Sequence, residues 1–132
     1  DSVMVFFNDP VPMDRPAEQA VRMALAAQQG FGPIGAAWAK LGFELSLGAG
    51  IAQGYATLGA IGFEGRWDYA AIGGVTNLAA RLCAEAKGGE VLLCQRTMAA
   101  VDSFAELEPV GPMQLRGFAQ PVPAFRVVGL KK

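Results

Sequence analysis

Asn77 and Arg81 stand four residues apart in the run Gly73-Gly74-Val75-Thr76-Asn77-Leu78-Ala79-Ala80-Arg81-Leu82, and on a helix that spacing brings two side chains onto one face. Val75, Leu78, Ala79, Leu82 and Ala86 form a separate apolar face. A neutral amide and a forked guanidinium one turn apart can hold a sugar oxygen and a phosphate together, since Arg meets phosphate oxygens bidentately. Gly73-Gly74 at the helix start lets a ligand approach the backbone, where first-turn N–H groups have no helical partner. On an arbitrary helix the same residues read as a solvated Asn and an Arg81 paired with Glu85 at i+4. Phosphate site and surface ion pair are both open from these residues alone.

Several other chemistries are excluded. The 132 residues contain no histidine, which removes His-based nucleophilic triads, HExxH zinc sites and imidazole general bases together. Cys83 and Cys94 lack CxxC spacing and read as reduced core residues rather than zinc ligands. With 11 basic and 12 acidic residues the net charge is −1, so no overall field draws the chain to nucleic acid or to an anionic membrane surface. Any phosphate must be held locally. Gly30-x-Gly32-x-x-Gly35 spells the dinucleotide fingerprint, yet Ala26-Ala27-Gln28-Gln29 reads as helix where that motif needs a strand. It is read as a helix break.

The elements that must position Asn77 and Arg81 follow from apolar periodicity. A length of 132 residues, 52% hydrophobic and 17% charged, gives one compact domain. Val3 to Phe7 reads as a central strand, and Asp14 as the N-cap of a helix with Ala17, Ala20, Val21, Ala24 and Leu25 on one face. That helix breaks at Gly30-Phe31-Gly32-Pro33 and resumes through Ile34, Ala37, Trp38 and Leu41. The 19 uncharged residues between Glu44 and Glu64 are too polar and Gly-rich for a membrane span. They read as a buried hairpin turning near Gln53-Gly54. Trp67–Ile72 is a further strand, Val75 to about Lys87 a helix, Glu90–Cys94 a strand and Arg96–Val101 a short helix. Phe104–Val110 and Val122–Val128 close the sheet. This order predicts an α+β fold with helices on one face of a sheet. No signal peptide is expected, since no basic stretch followed by a short apolar core stands at the start of these residues.

Gly50-Ile51, Gly59-Ala60-Ile61-Gly62, Asp68-Tyr69 and Ile72-Gly73-Gly74-Val75-Thr76-Asn77-Leu78-Ala79-Ala80-Arg81-Leu82 together resemble the catalytic domain of class III adenylate and guanylate cyclases. The resemblance extends from Asp1-Ser2-Val3-Met4-Val5-Phe6-Phe7 to Leu115-Arg116-Gly117-Phe118 and Pro121 to Val127. It implies a ferredoxin-like antiparallel sheet with helices packed on one face. Residues 1–132 would then be one partial domain, truncated at the N-terminus, with the family's first strand, its helices and second strand upstream.

The resemblance also implies an activity: cyclisation of ATP, or of GTP, to a 3′,5′-cyclic monophosphate and pyrophosphate. It assigns ribose orientation to Asn77 and transition-state stabilisation at the α-phosphoryl group to Arg81. It assigns a metal carboxylate to Asp1, with two Mg²⁺ or Mn²⁺ per complete site, and places that site at a head-to-tail homodimer interface. Ala70 stands where many adenylate cyclases carry an Asp or Thr, Gly73 and Gly74 lie at the substrate, and Arg116 is the nearest cation to a family Lys that contacts phosphates. The first metal Asp and the base-selecting Lys would lie upstream of Asp1, so the 132 residues alone are expected to be inactive. The alternative is an inactive nucleotide-binding or dimerisation module. A cytoplasmic domain is expected, with no nucleic-acid partner and no direct membrane contact.

Overall fold

A computed structural model describes residues 2–9, 11–63 and 66–131, with 57–63 and 66–72 described through their backbone. The elements are α1 (Pro16–Ala39), β1 (Ala49–Ile51), β2 (Thr57–Phe63), β3 (Arg66–Ile72), α2 (Gly74–Glu85), β4 (Val91–Cys94), α3 (Gln95–Val101), β5 (Ala105–Pro109) and β6 (Ala124–Leu130). A four-stranded sheet runs β1-β4-β6-β5, and β2 pairs with β3 in a separate two-stranded sheet.

β4 organises the core. Val91-Leu92-Leu93-Cys94 is an unbroken apolar run, buried at every position, and such a strand must be covered on both faces. Its side chains alternate accordingly. Val91 and Leu93 pack with Ala17, Val21 and Ala24 of α1, Val101 of α3, Ala105 and Val127. Leu92 and Cys94 pack with Leu82 of α2, Leu115 and Ala124.

The α+β class read from the sequence is borne out, but the expected antiparallel sheet with helices on one face is corrected to a mixed sheet with helices on both faces. α1 and α3 cover one face and α2 the other, because a strand buried on both sides needs two layers of cover. β4 pairs antiparallel with β6 and β6 with β5, but β1 pairs parallel with β4, in register Ala49↔Val91 to Ile51↔Leu93. A parallel neighbour requires a crossover, and β2, β3 and α2 supply it.

Four local expectations are corrected. Val3 to Phe7 form no strand, and Val3, Met4 and Val5 are exposed, whereas a strand is defined by its ladder bonds. The N-cap of α1 is Arg15 rather than Asp14, because Pro16 takes the first helical turn, where its missing N–H costs nothing. α1 also runs unbroken through Gly30 to Pro33. Gly and Pro lower helix stability without forbidding it, and here Gln28 Nε2 ties the helix to Leu47 O at 2.6 Å. Finally, β1 and β2 do not pair across Gln53-Gly54; β2 pairs with β3, from Thr57↔Ile72 to Phe63↔Arg66. An uncharged composition shows that a segment can be buried, but not which neighbour it joins.

Candidate functional site

α2 carries Asn77 and Arg81, and β1 decides where α2 sits. Gly50 turns its Cα toward the helix, and a Cβ there would lie 2.5 Å from Ala79 O and 2.8 Å from Leu82 C. Ala49 and Ile51, one residue to either side, pack into the opposite core. The Cys83 thiol donates to Gly48 O at 3.6 Å, so the helix is held to the same short stretch. Cys94 Sγ lies buried, 3.2 Å from Thr97 Oγ1, and both cysteines are free thiols.

The N-terminus of α2 is built on Gly73, whose φ of 152° lies in a region that L side chains avoid. Thr76 Oγ1 donates to Gly73 O at 2.8 Å and Asn77 N–H to the same oxygen at 3.3 Å. These bonds engage the Gly73 carbonyl and leave the first-turn donors uncapped: no side chain bonds the helix N-terminus. Gly74 is exposed, with no atom within 4 Å of a would-be Cβ. Backbone donors there are open to an anion.

Asn77 is exposed and Arg81 half-buried. Among the described residues neither side chain has a hydrogen-bond or ion-pair partner, so the Arg81–Glu85 pair open from the sequence does not form. Arg126 shows the contrary state. It donates to Glu108 at 2.6 Å and lies 3.8 Å from Glu90, and the Glu108 hydrogen bond followed by its charge raises the guanidinium pKa above its ordinary value. Arg126 is committed to carboxylates, whereas Arg81 is free for another anion.

The remaining candidates are dispersed. Ala70 lies on β3 opposite Gly59. Arg116 is exposed in a turn between buried Leu115 and Gly117, where Gln114 Nε2 donates to Phe118 O at 3.1 Å; no hydrogen bond or ion pair joins it to Asn77 or Arg81. Asp1 lies outside the described residues. Among the described residues no three of Cys, Asp and Glu gather as a metal site, so they do not by themselves fit the two divalent ions that the resemblance implies. The Gly30-Gly32-Gly35 fingerprint lies within α1, where no strand precedes it, and it is no dinucleotide site. One surface cleft is lined by Phe7, Met13, Asp14, Gln19, Arg22 and Met23, and another by residues that include Gln53, Leu78, Arg96 and Val122. Neither includes Asn77 or Arg81. Sequence reasoning overlooked the seating role of Gly48 and Gly50; its signal was small residues at every second position through Ala52.

Residues 1–128 match the family described as the adenylate and guanylate cyclase catalytic domain. The chain is similar to adenylate cyclase 1 of Rhizobium meliloti, at 32% identity over 98% of this chain and 20% of that protein. It therefore spans only a fifth of that relative's length. Its fold is similar to the adenylyl cyclase CyaB from P. aeruginosa, with a TM-score of 0.88 and 30% identity, covering 100% of this chain and 72% of that one. It is also similar to the guanylyl cyclase Cya2, with a TM-score of 0.83 and 26% identity, covering 100% and 70%. Among the described residues no helix is long and apolar enough to cross a membrane.

Proposed function

We propose that this chain, which belongs to the adenylate and guanylate cyclase catalytic-domain family, carries the ribose- and phosphate-binding part of a nucleotidyl cyclase site that acts on ATP. The observation that carries the reading is the pair Asn77 and Arg81, on one face of α2 and without partners among the described residues. In the proposed reaction the 3′-oxygen of the nucleotide bonds to the α-phosphorus and pyrophosphate departs. The Asn77 amide orients the ribose. The Arg81 fork meets the non-bridging oxygens of the α-phosphoryl group, where charge builds in the transition state. Uncapped N–H groups at Gly74 and Val75 add a positive helix end to the same side.

Two divalent metals, Mg²⁺ or Mn²⁺, would lower the pKa of the 3′-hydroxyl and neutralise the phosphates when bound. The described residues do not by themselves supply their carboxylates, and Asp1 is the proposed contributor from this chain. A second subunit, head to tail, is proposed to complete the site, as the family resemblance implies. ATP is favoured over GTP because the Rhizobium meliloti and P. aeruginosa relatives are an adenylate and an adenylyl cyclase. Ala70, with no hydrogen-bonding side chain, leaves base choice to groups elsewhere. The test is cyclic nucleotide formation by the full-length protein with Mn²⁺ and either ATP or GTP. Cyclic AMP is the expected product, and no turnover of either nucleotide would replace this reading with an inactive nucleotide-binding or dimerisation module.

A further inference from the structure

Gly50 approaches α2 at one particular rung of its hydrogen-bond ladder. The nearest atoms to a Cβ built there are Cys83 N, Ala79 O and Leu82 C. Residues 79 and 83 are i and i+4 of a single helix, so that oxygen and that N–H are acceptor and donor of the same bond. The strand backbone rests directly on it. Arg81 lies within the turn this bond closes, and Asn77 lies two residues before it. All three neighbouring atoms are backbone, so no rotamer change can make room. A side chain at residue 50 would push the helix back by about 1 Å, from 2.5 Å to ordinary contact at Ala79 O.

We propose that Gly50 is a positioning residue: its bare Cα sets the height of α2 above the sheet and so places Asn77 and Arg81 against the nucleotide. Gly50 itself touches no substrate. The proposal rests on the cyclase reading of α2 and adds the element that fixes its geometry. Gly48 supports the same seat more loosely, since a Cβ there would meet Ala86 O at 3.0 Å and Ala86 Cβ at 3.1 Å. A catalytic group misplaced by about 1 Å loses about 10²-fold in rate, which sets the size of the effect.

The test uses the full-length protein with Mn²⁺ and ATP, with GTP in parallel, and compares Gly50→Ala, Arg81→Ala and the double variant. Gly129→Ala serves as control, because a Cβ there meets nothing within 4 Å. Gly50→Ala is expected to lower kcat about 10²-fold and to move KM by less than about three-fold. In the Arg81→Ala background the same substitution is expected to cost clearly less than the loss of about 10²-fold seen in wild type, since only Asn77 remains to be misplaced. An equal loss in both backgrounds would mean that Gly50 only supports the fold, and would overturn the proposal. Wild-type kcat in Gly50→Ala would overturn it too.

Amide exchange provides a readout independent of turnover. Cys83 N–H is expected to exchange faster in Gly50→Ala than in wild type or Gly129→Ala, and unchanged protection would refute the seat. If the wild type turns over neither nucleotide, the cyclase reading fails while exchange still decides whether Gly50 seats the helix. Should Gly50→Ala not fold, Gly48→Ala carries the same cycle at smaller amplitude. Ala86→Gly is then expected to recover part of its loss, and no recovery would count against the proposal.

Discussion

α1 and α2 cover opposite faces of β4, and they differ in what they leave uncovered. α1 buries Ala17, Ala20, Val21 and Ala24 in its first turns. Its second half then carries Ile34 and Trp38, 51% and 43% exposed, with Trp38 meeting Phe43 edge to face at 5.7 Å. α2 is half as long and buries Leu82 completely. Besides small residues such as Ala80 and Ala84, it leaves an exposed amide and a half-buried guanidinium without partners among the described residues. Exposed apolar surface signals nothing more definite than an unburied helix face, while an Arg without a partner among the described residues is available to an anion. The lesson is that the chemically informative helix here is the shorter one, held tightly by backbone contact at Gly50.

The comparison can be broken at several points. The largest effect is expected from Arg81→Ala, which should lower kcat by about 10²–10³-fold, the usual loss of one preorganised transition-state donor. Its thermal stability should move by no more than about 0.5 kcal/mol, as for a substitution outside the core. A KM rise equal to the kcat loss would show that Arg81 only tethers substrate. One residue on, Leu82→Ala should have the opposite character. Removing a fully buried leucine is expected to cost about 2–5 kcal/mol in chemical denaturation, and a smaller loss would mean that α2 is less firmly packed than its contacts indicate.

α1 sharpens the contrast at lower amplitude. Pro33 removes the N–H that would bond Gln29 O, so Pro33→Ala is expected to slow amide exchange across residues 33–39 while leaving turnover as it was. Faster exchange there would show that the distal half depends on its proline. Ile34→Ser should change stability by less than about 0.5 kcal/mol. A drop of several times that size in a thermal melt would reveal packing on the exposed half of α1 that the structure does not show.

Much of this was legible in the residues themselves. Asn77 and Arg81 shared a face because four residues is nearly one helical turn, and the strand read over Glu90–Cys94 is observed at Val91–Cys94. Local pattern also placed α2, α3, β5 and β6 to within a few residues, because caps, glycines and apolar periods act over short range. The missing histidine removed whole classes of chemistry from composition alone.

Tertiary structure decided the rest, because those outcomes depend on which surfaces meet. Val3 to Phe7 have strand-forming side chains, yet they form no strand, since a strand requires a ladder with a neighbouring strand and side-chain type does not supply one. The same uncharged stretch could hairpin on itself at Gln53-Gly54 or separate, with β1 joining β4 and β2 joining β3; pairing energy depends on the partner that arrives, and composition does not name it. Pro33 signalled a break that the helix absorbs, since one lost bond at an exposed position is tolerable. Whether Arg81 would pair with Glu85 or stand free depended on side-chain placement that i+4 spacing permits but does not compel. Gly50 could be read as a glycine of a family motif, but that its Cα rests on the Ala79–Cys83 rung is a fact of packing between elements about thirty residues apart in the chain.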